Sequence, residues 1–480
     1  MHSTPKVPAE RRRVVLFCPS RSEFFLEPGP SRVSLPELSV PGRQRVSVNL
    51  NASIKTLWNL DAISLGEVAT KKGGHAGASG KYEIVEVLGE RKQPPAGLIA
   101  MPISKIRNAP FVVEEDLALL GQILANPHGL PLCGEPGPFA HFGWFEEVRR
   151  WVEEELSKSG HHLTGGFTQF TAGASFSLLR LETDCGAVWF KAVGEPNLQE
   201  YAVTAELAAT LPQFVPPILA CRSDWHAWLS PEVRGAPLSD SNDFRKWQAA
   251  AKAFADLQVA SLTKTTSLLS AGARNVRIPF LLSQSDRFFE TLEHLMRKQI
   301  KSPPAPLTSD ELAAMRRRLP VILARLGELD IPDALGHLDL NPGNVVVSDA
   351  GCTFIDWAEA AVGPAFLTMQ YFLEHFHLAF PQHQEAKQKI VAAYADQWKP
   401  TVSEKRMNLA IELLPAATVY AYTASVTAGR EMEFLEQPHV AASFRSMGRR
   451  LHHELQDVRE AVAADESVEH GSGGRERWSF

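Results

Sequence analysis

The chain has 480 residues, of which 44% are hydrophobic and 22% charged, with a net charge of -6 and a pI near 6.3. That length exceeds what one core usually serves, so two or more domains are expected, and the acidic balance argues against a nucleic-acid partner, which would call for a basic face. The cysteines Cys18, Cys133, Cys185, Cys221 and Cys352 are odd in number and form no CxxC pair, which argues against a disulfide framework or a zinc ribbon and suits a reducing compartment.

No apolar run approaches the length of a membrane span, and the stretch 14–17 behind Arg11, Arg12 and Arg13 is too short for a secretory signal. The expected location is therefore the cytoplasm, with no membrane partner. Residues 1–130 read as a small mixed α/β domain. Strands are expected at 14–17, 24–26, the alternating 46–50, 82–87 and 98–103. A helix is expected at 114–124, where Leu117, Leu120 and Leu124 recur at helical spacing, and 71–81 is expected to be a loop. The order of strands faintly resembles a Nudix-like fold. That family needs a helix bearing an REx2EExG run; the nearest approach, Glu153-Glu154-Glu155, reads as the solvated face of a helix. The segment shows no chemistry of its own.

Residues 127–138, with Pro127, Pro131, Pro136 and Pro138 among three glycines, read as the linker to a second domain at 139–462. Trp144, Val148, Trp151, Val152 and Leu156 then predict an amphipathic helix over 144–158, closed by Gly160. Strands follow at 167–170, 176–181 and 188–193. Between the first two lies Thr171-Ala172-Gly173-Ala174-Ser175, whose small side chains let backbone N–H groups approach phosphate oxygens, although a plain hairpin turn accounts for the same residues. Lys191 is a lone cation in an apolar strand, where burial is costly unless an anion accompanies it. Glu200, opening a helix over 200–210, is the candidate partner, with Glu206 as runner-up. From 244 the chain reads as helical: 244–262, 280–296, a helix opened by the Thr308…Glu311 capping box and kinked or broken at Pro320, then 366–379, 382–398, 404–414 and 421–433. His375, His377 and His383 do not share a helix face and are not read as a zinc site. Residues 463–480 read as a disordered tail.

The most informative stretch is 336–359, GHLDLNPGNVVVSDAGCTFIDWAE. Two short apolar runs, 345–347 and 353–355, flank a turn and predict a hairpin. Asn344 precedes the first strand and Asp356 follows the second, so the hairpin brings them to one end, with Asp339 five residues before Asn344. Phosphoryl transfer from a nucleotide needs this set: a carboxylate to orient and deprotonate the attacking hydroxyl, and oxygen ligands to hold magnesium against the phosphates. Asp339 suits the first role, Asn344 and Asp356 the second.

These residues, His337-Leu338-Asp339-Leu340-Asn341-Pro342-Gly343-Asn344 and Ile355-Asp356-Trp357, resemble the catalytic loop and metal-binding Asp of the aminoglycoside phosphotransferase and choline kinase-like family. Protein kinases are more distant: they place Arg before the catalytic Asp and Phe-Gly after the metal Asp. The family more often has Gly where this chain has Leu338. The resemblance implies an α+β, two-lobed, protein-kinase-like domain, with a small lobe at about 161–235 and a large lobe at about 236–462. It implies ATP and Mg2+ as cofactors and a small-molecule hydroxyl acceptor. It favours Glu200 over Glu206 as the partner of Lys191. It makes 227–230 the last strand of the small lobe, so that Leu229 and Ser230 lead into the hinge that meets adenine. His337 is implied to be structural, and the helices beyond Asp356 to line the acceptor pocket, where Glu359, Glu374 and Glu431 could serve a cationic substrate. A nucleotide-binding pseudokinase is the rival reading; such proteins usually lose the loop Asp, the metal Asp or the strand Lys, and all three stand here.

Overall fold

The structure is a computed structural model that describes residues 9–41, 46–68, 81–89 and 93–468. Residues 71–80 of the expected loop, and the tail beyond 468, lie outside the described residues. The fold is mixed α+β and divides into two compact units, Met1–Tyr201 with Pro217–Glu232, and Ala202–Pro216 with Val233–Phe480.

The first unit holds two sheets. Strands β1 (Ala9–Cys18), β2 (Glu23–Pro28), β3 (Val33–Ser34), β4 (Glu37–Pro41), β5 (Ala62–Glu67), β6 (Lys81–Val87) and β7 (Ile99–Pro102) form one, in the order β3-β2-β1-β6-β5 with β4 beside β1 and β7 beside β2. Within it β1 and β6 pair in parallel. Central β1 is apolar on both faces, and the period of two deals Val14 and Leu16 to one core and Val15 to the other. The first core is closed by Leu50 and Ile54 from the helix Val46–Trp58. This helix replaces the strand expected at 46–50. Five alternating residues satisfy either period, and the burial of Ser47, Leu50 and Ile54 at steps of three and four follows the helical one.

The second sheet, β8 (Leu163–Ala172), β9 (Ser177–Thr183), β10 (Gly186–Ala192), β11 (Ala220–Arg222) and β12 (Ala227–Pro231), is antiparallel in the order β11-β12-β10-β9-β8. Its inward residues Leu179, Phe190 and Leu229 share one core with Val15, Phe24 and Ile84 of the first sheet and with Trp144, Val148 and Val152 of the helix Trp144–Ser157. Phe139 sits inside this core, edge-on to Trp144, Phe190 and Trp225 at 5.3, 6.2 and 5.8 Å. The linker read at 127–138 therefore joins residues of a single core, and the compact units part elsewhere. Proline and glycine mark a turn locally; they do not report what packs across it.

The second unit is mainly helical, with two small sheets: β13 (Ala236–Pro237) with β16 (Val345–Ser348) and β17 (Gly351–Phe354), and β14 (Arg274–Asn275) with β18 (Ala360–Pro364) and β15 (Asp333–His337). Thr308 and Glu311 form the expected capping box on the helix Ser309–Glu328. That helix continues through Pro320, and Glu404–Thr427 through Pro415, merging most of two expected segments. An internal proline costs about 3 kcal/mol, which burial of Leu319, Ile322 and Leu323 around Pro320 offsets. The last helix, Pro438–Val468, takes in 463–468 of the expected tail.

Candidate active site

The loop 336–359 grows out of β15. Gln258, fully buried on the helix Phe244–Ser261, donates through Nε2 to the carbonyls of Leu335 (3.0 Å) and Ala365 (2.6 Å) and accepts from the Tyr394 hydroxyl at 2.5 Å. The Leu335 N–H donates to Ser261 Oγ at 2.8 Å. The strand that delivers His337 is thus pinned by side chains as well as by its ladder to β18.

His337 is wholly buried. Its backbone N–H donates to Thr368 Oγ1 at 3.1 Å, its ring lies 4.7 Å from that of Trp357, and Nε2 lies 3.0 Å from the Ile355 carbonyl, which can only accept. The proton on that bond is therefore on Nε2. His337 ties the start of the loop to the residue before Asp356. At Gly336 a Cβ would fall 2.8 Å from Thr368 Oγ1, so the close approach requires glycine.

The turn 338–344 is closed locally. The Gly343 N–H donates to Asn341 Oδ1 at 2.8 Å, and the Asn344 amide donates to the Asp339 carbonyl at 2.9 Å and toward Asp339 Oδ2 at 3.4 Å. With its N–H₂ group engaged by Asp339, Asn344 has Oδ1 as the atom suited to a hard cation. The hairpin pairs Val345 with Phe354, and the Ile355 N–H donates to the Asn344 carbonyl at 3.0 Å, so Asn344 and Asp356 stand at one end as expected. Asp356 has φ 64°, a left-handed conformation that costs a non-glycine residue of order 1–3 kcal/mol and recurs at functional sites. Two oxygen donors beside a carboxylate fit the ligand chemistry of magnesium.

Near Asp339 stand Tyr371 and Tyr422, which the sequence did not point to, together with His375, Glu359 and Glu374. The Tyr371 hydroxyl, from the helix Leu367–Ala379, donates to Asp339 Oδ1 at 3.1 Å. Burial, then the Asp339 carboxylate, raise the Tyr371 phenol well above its ordinary value, so it stays a donor. The His375 ring stands edge-on to Tyr371 at 4.6 Å, and burial lowers its imidazole against the pull of Asp339 and Glu374. Burial, then Glu359 and Asp339, raise Tyr422. Glu359 pairs with Arg274 at 2.8 Å, and Glu374 with Arg450. The only sequence signal for Tyr371 was its place one helical turn beyond Leu367, a spacing without chemistry until the helix packs on the loop.

In the first unit, Lys191 Nζ lies 2.5 Å from Glu200 Oε1, with Glu200 almost fully buried and Trp228 5.7 Å from the ammonium. Glu200 rather than Glu206 is thus the partner. Gly173, Ala174 and Ser175 form the turn from β8 to β9. Leu229 and Ser230 lie within β12, opposite Phe190 and Trp189. The Leu229 side chain is in the core and its carbonyl accepts from the Leu219 N–H at 2.7 Å.

Residues 166–397 match the family model described as the phosphotransferase enzyme family, and the matched segment contains both the Lys191–Glu200 pair and the loop 336–359. This segment belongs to that family, that of the aminoglycoside phosphotransferases, and has its kinase-like fold. Similar solved structures include a choline kinase from Cryptosporidium parvum Iowa II (12% identity, 67% of this chain and 97% of that one, TM-score 0.47). A macrolide 2'-phosphotransferase from Brachybacterium faecium has 15% identity over 63% of this chain and 97% of that one, with TM-score 0.41. A spectinomycin phosphotransferase in complex with ADP and spectinomycin has 13% identity over 65% and 98%, with TM-score 0.39. No curated protein matches the chain. Among the described residues no helix is long and apolar enough to cross a membrane.

Proposed function

We propose that this protein is a small-molecule kinase that moves the terminal phosphoryl group of ATP to a hydroxyl of its acceptor. The observation that carries this reading is the convergence, in one loop, of Asp339 with the Asn344 amide and the Tyr371 hydroxyl around it and Asp356 beside Asn344. Asp339 orients the acceptor hydroxyl and takes its proton as the oxygen attacks phosphorus and the bond to the departing ADP oxygen breaks. Asn344 and Asp356 would hold magnesium, which when bound neutralises phosphate charge. Lys191, oriented by Glu200, offers a cation for phosphate oxygens, and the backbone of Gly173, Ala174 and Ser175 offers N–H donors. Leu229 and Ser230 carry the chain toward the segment whose backbone would meet adenine.

The acids near the loop bear on the acceptor. Glu359 and Glu374 already have the counter-ions Arg274 and Arg450. A paired carboxylate is a poor receptor for a cation, whereas paired charges and phenols suit the hydroxyls of a neutral, polyhydroxylated compound. The free thiols of Cys18, Cys133, Cys185, Cys221 and Cys352 fit a reducing, ATP-rich cytoplasm.

The test is acceptor-dependent release of ADP across a panel of sugars, aminoglycosides, macrolides, choline and ethanolamine. Turnover with a hydroxyl compound, lost on chelating magnesium, is expected. Tight ATP binding with no turnover on any acceptor would make the protein a nucleotide-binding module instead.

A further inference from the structure

We propose that the N-terminal sheet, together with the segment 137–139 that follows it, is a positioning element for the nucleotide's phosphates: the two clamp the turn between β8 and β9 in one shape and so set the affinity for a triphosphate. This rests on the kinase reading above, because it assigns that turn to the phosphates. A turn of small residues between two strands is ordinarily exposed and mobile. Here Gly173 and Ala174 are buried; the Phe176 ring lies over Gly173 and Gly194 packs on Ser175, and the rest of the cover comes from residues before 140.

Three attachments hold it. The Phe139 N–H donates to the Ala174 carbonyl at 2.9 Å, and Phe139 is itself fixed in the core by its edge-on aromatic neighbours. At Gly137 a Cβ would lie 2.4 Å from both the Ala174 carbonyl oxygen and Ser175 Cα, so backbone rests on backbone and only glycine fits. At Gly66, in β5, a Cβ would lie 3.3 Å from Gly173 Cα.

The third attachment extends to the strands. β5 ends the first sheet and β8 ends the second. Each is irregular at the meeting place, β5 between Ser64 and Gly66 and β8 between Gln169 and Thr171. Gln169, 2% exposed, bridges them. Its Oε1 accepts from the Ser64 N–H at 2.8 Å and from Asn51 Nδ2 at 2.9 Å, while Nε2 donates to the Ser64 carbonyl at 2.8 Å. One side-chain amide thus does for two edge strands what a ladder partner would do, and satisfies groups that burial would otherwise make costly. On the opposite side of the turn Thr171 and Phe176, whose ring lies over Gly173, are exposed. The N-terminal residues supply no reacting group; they supply preorganisation.

The experiment uses the full chain with Gly137→Ala and, as a milder change, Asn51→Ala. Hydrogen exchange without nucleotide should show amides of 171–176 slow in the wild type and at least about tenfold faster in Gly137→Ala, with 345–354 unchanged. Calorimetry should show affinity for magnesium-ATP down roughly ten- to a hundredfold, as for a misplacement near 1 Å, and affinity for adenosine, which has no phosphates, essentially unchanged. A folded Gly137→Ala protein with wild-type exchange and ATP affinity would overturn the clamp, as would a wild-type turn that exchanges freely. If Gly137→Ala does not fold, Asn51→Ala decides by the same two readings, with a smaller shift in the same direction expected and no shift overturning the proposal. A wild type that binds no ATP would defeat the kinase reading, while exchange would still show whether the turn is clamped.

Discussion

His337→Ala is the most direct probe of how the loop is held together. The imidazole is wholly buried, and its Nε2–H bond to the Ile355 carbonyl is 3.0 Å long. Removing the ring takes this donor from a part-buried carbonyl, at about 1–3 kcal/mol. It also leaves a hole against Trp357, which lies 4.7 Å from the ring, adding about 2 kcal/mol or more by analogy with other core truncations. The expected loss is about 3–5 kcal/mol, within the usual 5–15 kcal/mol total of a domain, so the protein stays folded at room temperature with a lower urea midpoint. Far-ultraviolet circular dichroism can follow the transition. Because Ile355 precedes Asp356, whose left-handed backbone depends on its neighbours, magnesium-dependent nucleotide affinity should also fall about ten- to a hundredfold, as for residues that orient metal ligands. His337→Gln keeps an N–H donor and should recover part of both losses. A loss under about 1 kcal/mol, or a Gln variant no better than Ala, would refute this account.

Other expectations follow from single contacts. Asp339→Asn should keep the fold and nucleotide binding but slow turnover by roughly a thousandfold, about 4 kcal/mol of barrier; wild-type turnover on the true acceptor would remove Asp339 as the base. Asp356→Ala should make nucleotide affinity, measured by calorimetry, the same with and without magnesium, whereas a retained magnesium effect would place the metal elsewhere. Burial, foremost, raises the Glu86 carboxyl above its ordinary 4.5, against the pull of the Gly143 N–H at 2.7 Å. A raised native pKa contributes stability that is complete below the unfolded value and is lost as pH rises through the native one. Glu86→Gln, which can still accept from Gly143, should therefore melt higher than wild type at neutral pH, with the gap closing toward pH 4.5; a gap independent of pH would contradict the burial argument.

The geometry of the loop 336–359 was legible because it is local. Asp339, Asn344 and Asp356 lie within residues 336–359, and the hairpin register that brings Asn344 to Asp356 is set by two short apolar runs and the turn between them. The Thr308…Glu311 cap and the helix at Trp144 were legible for the same reason: each is complete within a few turns of chain. The side chains that orient the loop were not. Thr368 and Tyr371 reach it from the helix Leu367–Ala379, and Gln258 reaches β15 from 77 residues earlier, through polar side chains whose helical spacing carries no mark of their partner. The helix at 46–58 and the helix through Pro320 were decided by burial, since a short alternating run satisfies two periods and a proline's cost is outweighed only when neighbours pack around it. The proline-rich segment at 127–138 looked like a boundary because turn residues act over a few bonds, whereas the core that joins Val15, Phe139 and Phe190 is a matter of which apolar faces meet, and only the folded chain chooses among the partners that could cover them.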